Sequence, residues 1–296
     1  MTDDQLSINM MSFDDLVKQT ITQSMKLIEY FQLNLIYYQL ISGKGLEFEK
    51  VQEYHVGDDV RRIDWKILAR TQEVHVRTYK EERRFNIVIV LDVSNSMLLG
   101  TSRFIKNEYA SLVAGVLAYA ALEAGDSICP VMVSSDINVA GEPLNDVYQF
   151  LRIISKKENY GGKKDWRKMV DTLISNYDDD SIVFLISDFI DFNPDQILPP
   201  LAAGFGKVFG IMVRDKIDDQ LPKGVGPVYL TDAQGKKVYL TNFDKLRDEY
   251  QVLNERQIKK IKTEFLSEGQ LFFKVNTTQD FGTEFIKALG HEEVIQ

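Results

Sequence analysis

The sequence predicts an α/β protein built on a doubly wound, mostly parallel sheet, with an N-terminal helix and inserted β elements. Three observations lead there. From residue 86 onward, short apolar runs of strand length alternate with longer helical ones, the pattern of a sheet covered on both faces. The first run, Asn86-Ile87-Val88-Ile89-Val90-Leu91, passes directly into Asp92-Val93-Ser94-Asn95-Ser96. A later run, Ser181-Ile182-Val183-Phe184-Leu185-Ile186, ends in Ser187-Asp188-Phe189, so two buried strands finish on a carboxylate.

The elements follow in chain order. Ser12-Phe13-Asp14-Asp15 has the form of a capping box, and Leu16, Ile21, Met25, Ile28, Phe31 and Leu35 recur at helical spacing behind it. That spacing predicts one amphipathic helix within residues 1–42, closing near Ser42-Gly43 and packed either on its own chain or on a partner. Residues 43–84 change character, with alternating charges, glycines and few long apolar runs. Residues 85–296 carry the sheet, with strands over 86–91, 127–134, 181–187, 206–213 and 270–275, and helices over 102–123, 144–157, 165–177, 244–266 and 280–289. Ser134-Ser135-Asp136 predicts a tight reversal into an antiparallel edge strand at 137–140. Residues 228–230 and 238–240, separated by Asp232-Ala233-Gln234-Gly235-Lys236, read as a hairpin between two core elements. With no internal repeat or low-complexity linker, the chain is expected to form one structural domain overall.

Composition narrows the class. Hydrophobic residues at 44% and charged residues at 27% are proportions of an ordinary globular protein. A net charge of −9 argues against a general nucleic-acid surface. The single cysteine, Cys129, lies in an apolar run and cannot form an internal disulfide, which suits a buried structural thiol in a reducing compartment. The acidic start Met1-Thr2-Asp3-Asp4 is unlike a signal peptide, and the longest apolar run, around Leu112 to Leu122, is shorter than the roughly 20 residues of a membrane span. A cytoplasmic location is therefore expected.

The chemistry concentrates at the strand ends. One carboxylate and two hydroxyls at the C-terminal end of a buried strand lie where open α/β sheets place ligands. Oxygen donors of this kind suit Mg²⁺ or Mn²⁺, making Asp92, Ser94, Ser96 and Asp188 the candidate metal ligands. Asp191 is a candidate carboxylate behind them, and equally a turn residue. A metal-free alternative has Ser94 and Ser96 capping the following helix while Asp92 fixes the loop. Enzyme signatures are sparse. None of His55, His75 and His291 stands in a recognisable relation to Ser94 or Cys129, the serine loop is not G-x-S-x-G, and Gly161-Gly162-Lys163-Lys164 lacks the spacing of a phosphate loop. No catalytic residue is assigned, although one Mg²⁺ held by Asp92 and Asp188 leaves a phosphoester hydrolase as an alternative.

Two resemblances sharpen these expectations. The D-x-S-x-S loop with a later strand-terminal Asp resembles the metal-ion-dependent adhesion site (MIDAS) of von Willebrand factor A domains, whose Rossmann-like core is a doubly wound sheet. The stretch Gly43-Lys44-Gly45-Leu46-Glu47-Phe48, then Tyr54, Gly57-Asp58-Asp59-Val60-Arg61-Arg62-Ile63-Asp64-Trp65-Lys66, Ala69-Arg70-Thr71 and Val76-Arg77-Thr78-Tyr79-Lys80-Glu81-Glu82-Arg83 closely resembles the signature block of the DUF58 family, in its short soluble class. In the block, Arg61, Arg62, Arg70, Arg77, Arg83 and Arg84 are matched by Asp58, Asp59, Asp64, Glu81 and Glu82, which suits an ion-pair lattice with Trp65 as a core anchor.

These resemblances imply a non-enzymatic adaptor that takes an acidic partner residue at the metal pole. They also imply a MoxR-type AAA+ ATPase as partner, in chaperone-like assembly or activation of other proteins; a metal-free scaffold is the blander alternative. One departure stands out. The Thr that usually completes such a site falls on Lys163 or Lys164 in the loop Tyr160-Gly161-Gly162-Lys163-Lys164-Asp165-Trp166. An ammonium there would satisfy the carboxylates without a cation. Two readings stay open: Mg²⁺ or Mn²⁺ with water in place of one hydroxyl, or a site held by a lysine bridge.

Overall fold

The computed structural model describes residues 11–29, 50–53, 75–78, 84–224, 226–231 and 238–278. The chain divides into two compact units, Met1–Ile36 together with Phe85–Gln296, and Tyr37–Arg84. In the smaller unit, β1 (Lys50–Glu53) and β2 (His75–Thr78) pair antiparallel, with Lys50 opposite Thr78. The expectations for Trp65, for the side chains of the ion-pair lattice apart from the exposed Arg84, for the helix beyond residue 29 and for a helix over 280–289 lie outside the described residues.

The larger unit begins with α1 (Phe13–Glu29). Ser12 Oγ accepts from the Asp15 amide at 3.1 Å, capping the helix where its sequence predicts, and donates to Asp15 Oδ2 at 2.7 Å. Six strands build the central sheet: β3 (Asn86–Asp92), β4 (Ser127–Val133), β5 (Ile137–Val139), β6 (Ile182–Ser187), β7 (Lys207–Arg214) and, at the end, β10 (Leu271–Asn276). Their spatial order is β10-β7-β6-β3-β4-β5, parallel throughout except for the antiparallel edge strand β5. This is the doubly wound order, with its topological switch point between β3 and β6.

Helices cover both faces. On one face lies α2 (Lys106–Glu123), buried all round from Tyr109 to Ala118. The outer side of α2 is closed by α1: a Cβ on Gly115 would meet Thr20 Oγ1 at 2.7 Å. The first helix therefore packs on its own unit. Beside it stands α3 (Val147–Ile154), capped by Asp146, whose carboxylate accepts from the Tyr148 amide. The opposite face carries α4 (Trp166–Asn176), α5 (Pro194–Gly204) and α7 (Phe243–Ser267), which share a core with the alternating strand residues Val88, Val90, Val131, Val183 and Leu185. A short α6 (Lys216–Asp219) follows β7, and β8 (Pro227–Thr231) pairs antiparallel with β9 (Val238–Asn242) as the expected hairpin strands.

The differences from expectation have local causes. α2 starts at Lys106 rather than 102, because the chain first runs through a loop that delivers Thr101 and Ser102 to Asp215. α3 is shorter than 144–157: Leu144 bridges to Ile128 with backbone bonds in both directions before Asp146 can cap a helix. The sequence does not predict α5, since Pro199 and Pro200 each remove a backbone donor and crowd the preceding turn. Pro194 nevertheless starts it at a position where its missing N–H costs nothing, and Ile197, Leu198 and Leu201 are buried against the sheet.

Candidate functional site

Asp92 is the last residue of β3, and Asp188 follows the last residue of β6. The two strands are parallel neighbours with Leu91 beside Ile186, so their ends deliver both carboxylates to the switch point. Asp92 Oδ1 accepts from the Ser94 amide at 2.9 Å and the Ser94 hydroxyl at 2.6 Å; Oδ2 accepts from Ser187 Oγ at 2.5 Å. Ser96 completes the loop, its hydroxyl 3.2 Å from that of Ser94. All four residues expected at the pole are thus brought together.

The remaining partners are lysines. The Lys164 ammonium donates to Asp188 Oδ1 at 2.6 Å, to Asp92 Oδ2 at 2.7 Å and to Ser96 Oγ at 3.1 Å. Lys106, the first residue of α2, reaches Asp188 Oδ2 at 3.0 Å and Asp218 at 3.1 Å. The Lys164, Asp92, Asp188 and Lys106 side chains are all at most 4% exposed. Burial by itself pushes the Lys164 ammonium down, but the facing carboxylates of Asp92 and Asp188 outweigh it and raise its pKa. Burial likewise pushes Asp188 up, and the charges of Lys164 and Lys106 overcome it, holding Asp188 well below the usual carboxylate range.

Local backbone geometry makes this possible. Gly161 and Gly162 have φ of 117° and 76°, the left-handed region that glycine enters without strain. The loop is stitched to the serine loop by the Gly161 amide to Val93 O, the Asn95 amide to Gly162 O and the Gly162 amide to Asn95 Oδ1. Lys164 is carried inward and Lys163 outward. Beyond β6, Phe189 adopts φ 55°, which drops its ring into a cluster with Trp166, Phe192, Phe265 and Phe272 while Asp188 faces the lysines.

Asp191 does not stand behind the buried carboxylates. It occupies a left-handed turn with φ 57°, is 68% exposed, and lies 3.9 Å from the equally exposed Lys163, so its turn-residue reading holds. Lys106, Ser187 and Asp218 were missed by sequence reasoning. A signal for Lys106 exists: a helix that is apolar on every side must be buried, and a lysine on its first turn then needs an acid.

The donor set does not fit a divalent ion. Asp92 Oδ1 is engaged by its own loop, the other oxygens of Asp92 and Asp188 accept from Ser187 and two ammonium groups, and a dication placed there would be repelled by both lysines. Among the described residues, no group of three or more His, Cys, Asp or Glu side chains is arranged to hold a metal.

Beside the pole lies an open cleft of about 520 Å³ between α4 and the 191–197 segment, lined by Ser135, Lys163, Trp166, Arg167, Asp191 and Gln196. Arg167 is exposed and bonds the neutral Gln196 side chain at 2.7 Å. Cys129 is buried, and burial pushes its thiol up to about 11, in keeping with a structural thiol.

Away from the pole, the buried carboxylate of Asp215 ties the ends of β7 and β10 to the loop after β3. It accepts from Thr101 at 2.5 Å, Thr277 at 2.8 Å, Ser102 at 3.0 Å and the Ile217 amide at 3.2 Å. Burial pushes this carboxyl up, but the hydrogen bonds from Thr101, Thr277 and the backbone favour its charged form and bring it below the usual carboxylate range. Its stabilising contribution is present above the unfolded value of about 3.9 and is lost as pH falls towards the folded one. Urea titrations of wild type and Asp215→Asn are expected to show their largest stability gap above about pH 5, narrowing below about pH 4. A gap that widens with acid would contradict this.

The fold and the site together define a doubly wound α/β protein whose D-x-S-x-S pole is closed by lysine. The chain belongs to the DUF58 family, described as a protein family of unknown function, whose model matches residues 50–260. Uncharacterized proteins of Mycobacterium tuberculosis and Mycobacterium bovis are 30% identical over 220 residues, covering 71% of this chain and 68% of theirs. In shape the chain is similar to the conserved hypothetical protein BatB from Bacteroides thetaiotaomicron, with a TM-score of 0.48 and 13% identity over 71% of this chain and 98% of that one. It is also similar to an aerotolerance-related membrane protein from Bacteroides fragilis, with a TM-score of 0.45 and 12% identity over 70% and 99% of the two chains. No described helix of this chain is long and apolar enough to cross a membrane.

Proposed function

We propose that this protein is a non-enzymatic interaction adaptor whose contact surface is the cleft beside the lysine-closed pole. The observation that carries this is the division of labour between adjacent lysines: Lys164 is consumed in locking Asp92 and Asp188, whereas Lys163 stays at the surface near Arg167. A rigid pole then presents exposed cations to an acidic residue of a partner. Arg167 suits that role, because a guanidinium offers paired donors to a carboxylate and this one meets only a neutral side chain among the described residues. Asp92 and Asp188, both ion-paired and buried, are poorly placed to move protons or hold a phosphoester.

The family resemblance suggests a MoxR-type AAA+ ATPase as the partner, with the adaptor serving assembly or activation of other proteins. Affinity capture from native lysate tests this with wild type, Lys163→Glu/Arg167→Glu and chelator-treated wild type in parallel. An AAA+ ATPase is expected on wild type with or without chelator, and to be lost from the double variant. Capture undiminished by the double charge reversal would remove the cleft from the interface. Turnover of a generic phosphodiester, abolished by Asp92→Asn, would replace the adaptor reading with the hydrolase.

A further inference from the structure

We propose that Lys164 is the resident cation of this pole and that Lys106 supplies its second positive charge, so that two side chains of the chain itself replace a divalent metal ion. Three features carry this inference. The first is stoichiometric: an ammonium has three protons and no acceptor capacity, and Lys164 directs one to each of Asp92 Oδ2, Asp188 Oδ1 and Ser96 Oγ. Nothing in that set is left over. The second is electrostatic. Two lysines bring two positive charges to the pole, the charge of one Mg²⁺, and they divide Asp188 between them, Oδ1 to Lys164 and Oδ2 to Lys106.

The third is positional. Lys164 reaches the pole from a loop docked by two backbone–backbone bonds and one bond to the Asn95 side chain on the very loop that carries Ser94 and Ser96, and a Cβ at Gly162 would come within 2.9 Å of Ser135 Oγ. The ammonium is thus delivered by a built cradle, not by a long side chain that happens to fold inward. Trp166, whose ring centroid lies 5.4 Å from the Lys164 nitrogen, adds a π face on one side.

A consequence separates this pole from a metal-bearing one. A bound divalent ion keeps coordination positions open to water or to a partner's carboxylate, whereas the Lys164 ammonium has spent all its donors. Direct ligation of a partner at the pole is closed, and recognition falls to groups on its rim. The inference holds independently of which partner, if any, uses that rim.

Mn²⁺ titration followed by the electron paramagnetic resonance of the free ion tests it on the full chain, with wild type, Asp92→Asn, Lys164→Ser and Lys164→Ser/Asp92→Asn. Wild type is expected to bind no more Mn²⁺ than Asp92→Asn, and to melt at the same temperature in Mg²⁺, Mn²⁺ or chelator. Lys164→Ser, which restores a hydroxyl and removes the ammonium, is expected to gain at least tenfold in Mn²⁺ affinity and to lose that gain when Asp92→Asn is added. One Mn²⁺ bound by wild type and released by Asp92→Asn would overturn the proposal. A folded Lys164→Ser that binds no better than wild type would overturn it too. Should Lys164→Ser not fold in chelator, recovery of its native circular dichroism on adding Mn²⁺ supports the proposal, and failure to recover counts against it.

Discussion

Lys164→Met is expected to lower the stability of the larger unit by about 3–5 kcal/mol, the usual effect of removing one partner from a buried ion pair. The methionine fills much the same volume, so the loss is electrostatic. Without the ammonium, Asp92 and Asp188 face each other buried, with only Lys106 left to compensate Asp188. Part of the loss returns if one carboxylate takes up a proton, so the variant is expected to be closest to wild type in mild acid. Urea unfolding of both proteins at pH 5 and pH 8 reads the difference. A loss below about 1 kcal/mol, the range of exposed pairs, would mean that the lysine bridge contributes little to the fold.

Phe265→Ala is expected to cost about 3–5 kcal/mol as well, by a different route. Phe265 is fully buried on α7 and packs on Phe189, Phe192 and Phe272 with ring centroids 6.0, 6.3 and 5.3 Å away. Beneath it lies Gly210 of β7, where even a methyl group would stand 2.6 Å from the Phe265 ring. The space emptied by the substitution is therefore bounded by strand backbone, which relaxes little, and a cavity persists. Because Phe189 directly follows Asp188 and its ring is held by this cluster, the cavity is also expected to loosen Asp188. Thermal unfolding gives the stability loss. Summed against the double variant Phe265→Ala/Lys164→Met, it shows whether cluster and ion pair couple: a nonadditive result is expected, and strict additivity would separate them.

Much of the fold was legible because its sheet is buried on both faces. The runs at 86–91, 127–133 and 182–187 are apolar at nearly every position, the composition of strands buried on both faces, and two of them run directly into a carboxylate, Asp92 and Asp188. The helix over 194–204 was illegible for the complementary reason: local proline chemistry argues against it, and burial of Ile197, Leu198 and Leu201 overrides that preference. Helix starts at 106 and 147 were displaced by contacts with distant residues, Asp215 for the loop before the first and Ile128 for the segment before the second.

At the pole, the sequence by itself determined which groups meet. Asp92, Ser94 and Ser96 share one loop, and Asp188 ends the strand that neighbours theirs, so adjacency of parallel strands was enough to bring them together. It also showed that lysine stands where a hydroxyl ligand is expected. Only the tertiary structure decided which lysine turns inward, since that depends on two glycines in left-handed conformation and on hydrogen bonds to a loop 67 residues away in sequence. Only the tertiary structure, too, brought Asp188 and Asp218 to the same ammonium, that of Lys106, from 82 and 112 positions further along the chain. Ion pairs of this kind leave no periodic trace, because a charge is bound by whatever the fold places within a few ångströms of it.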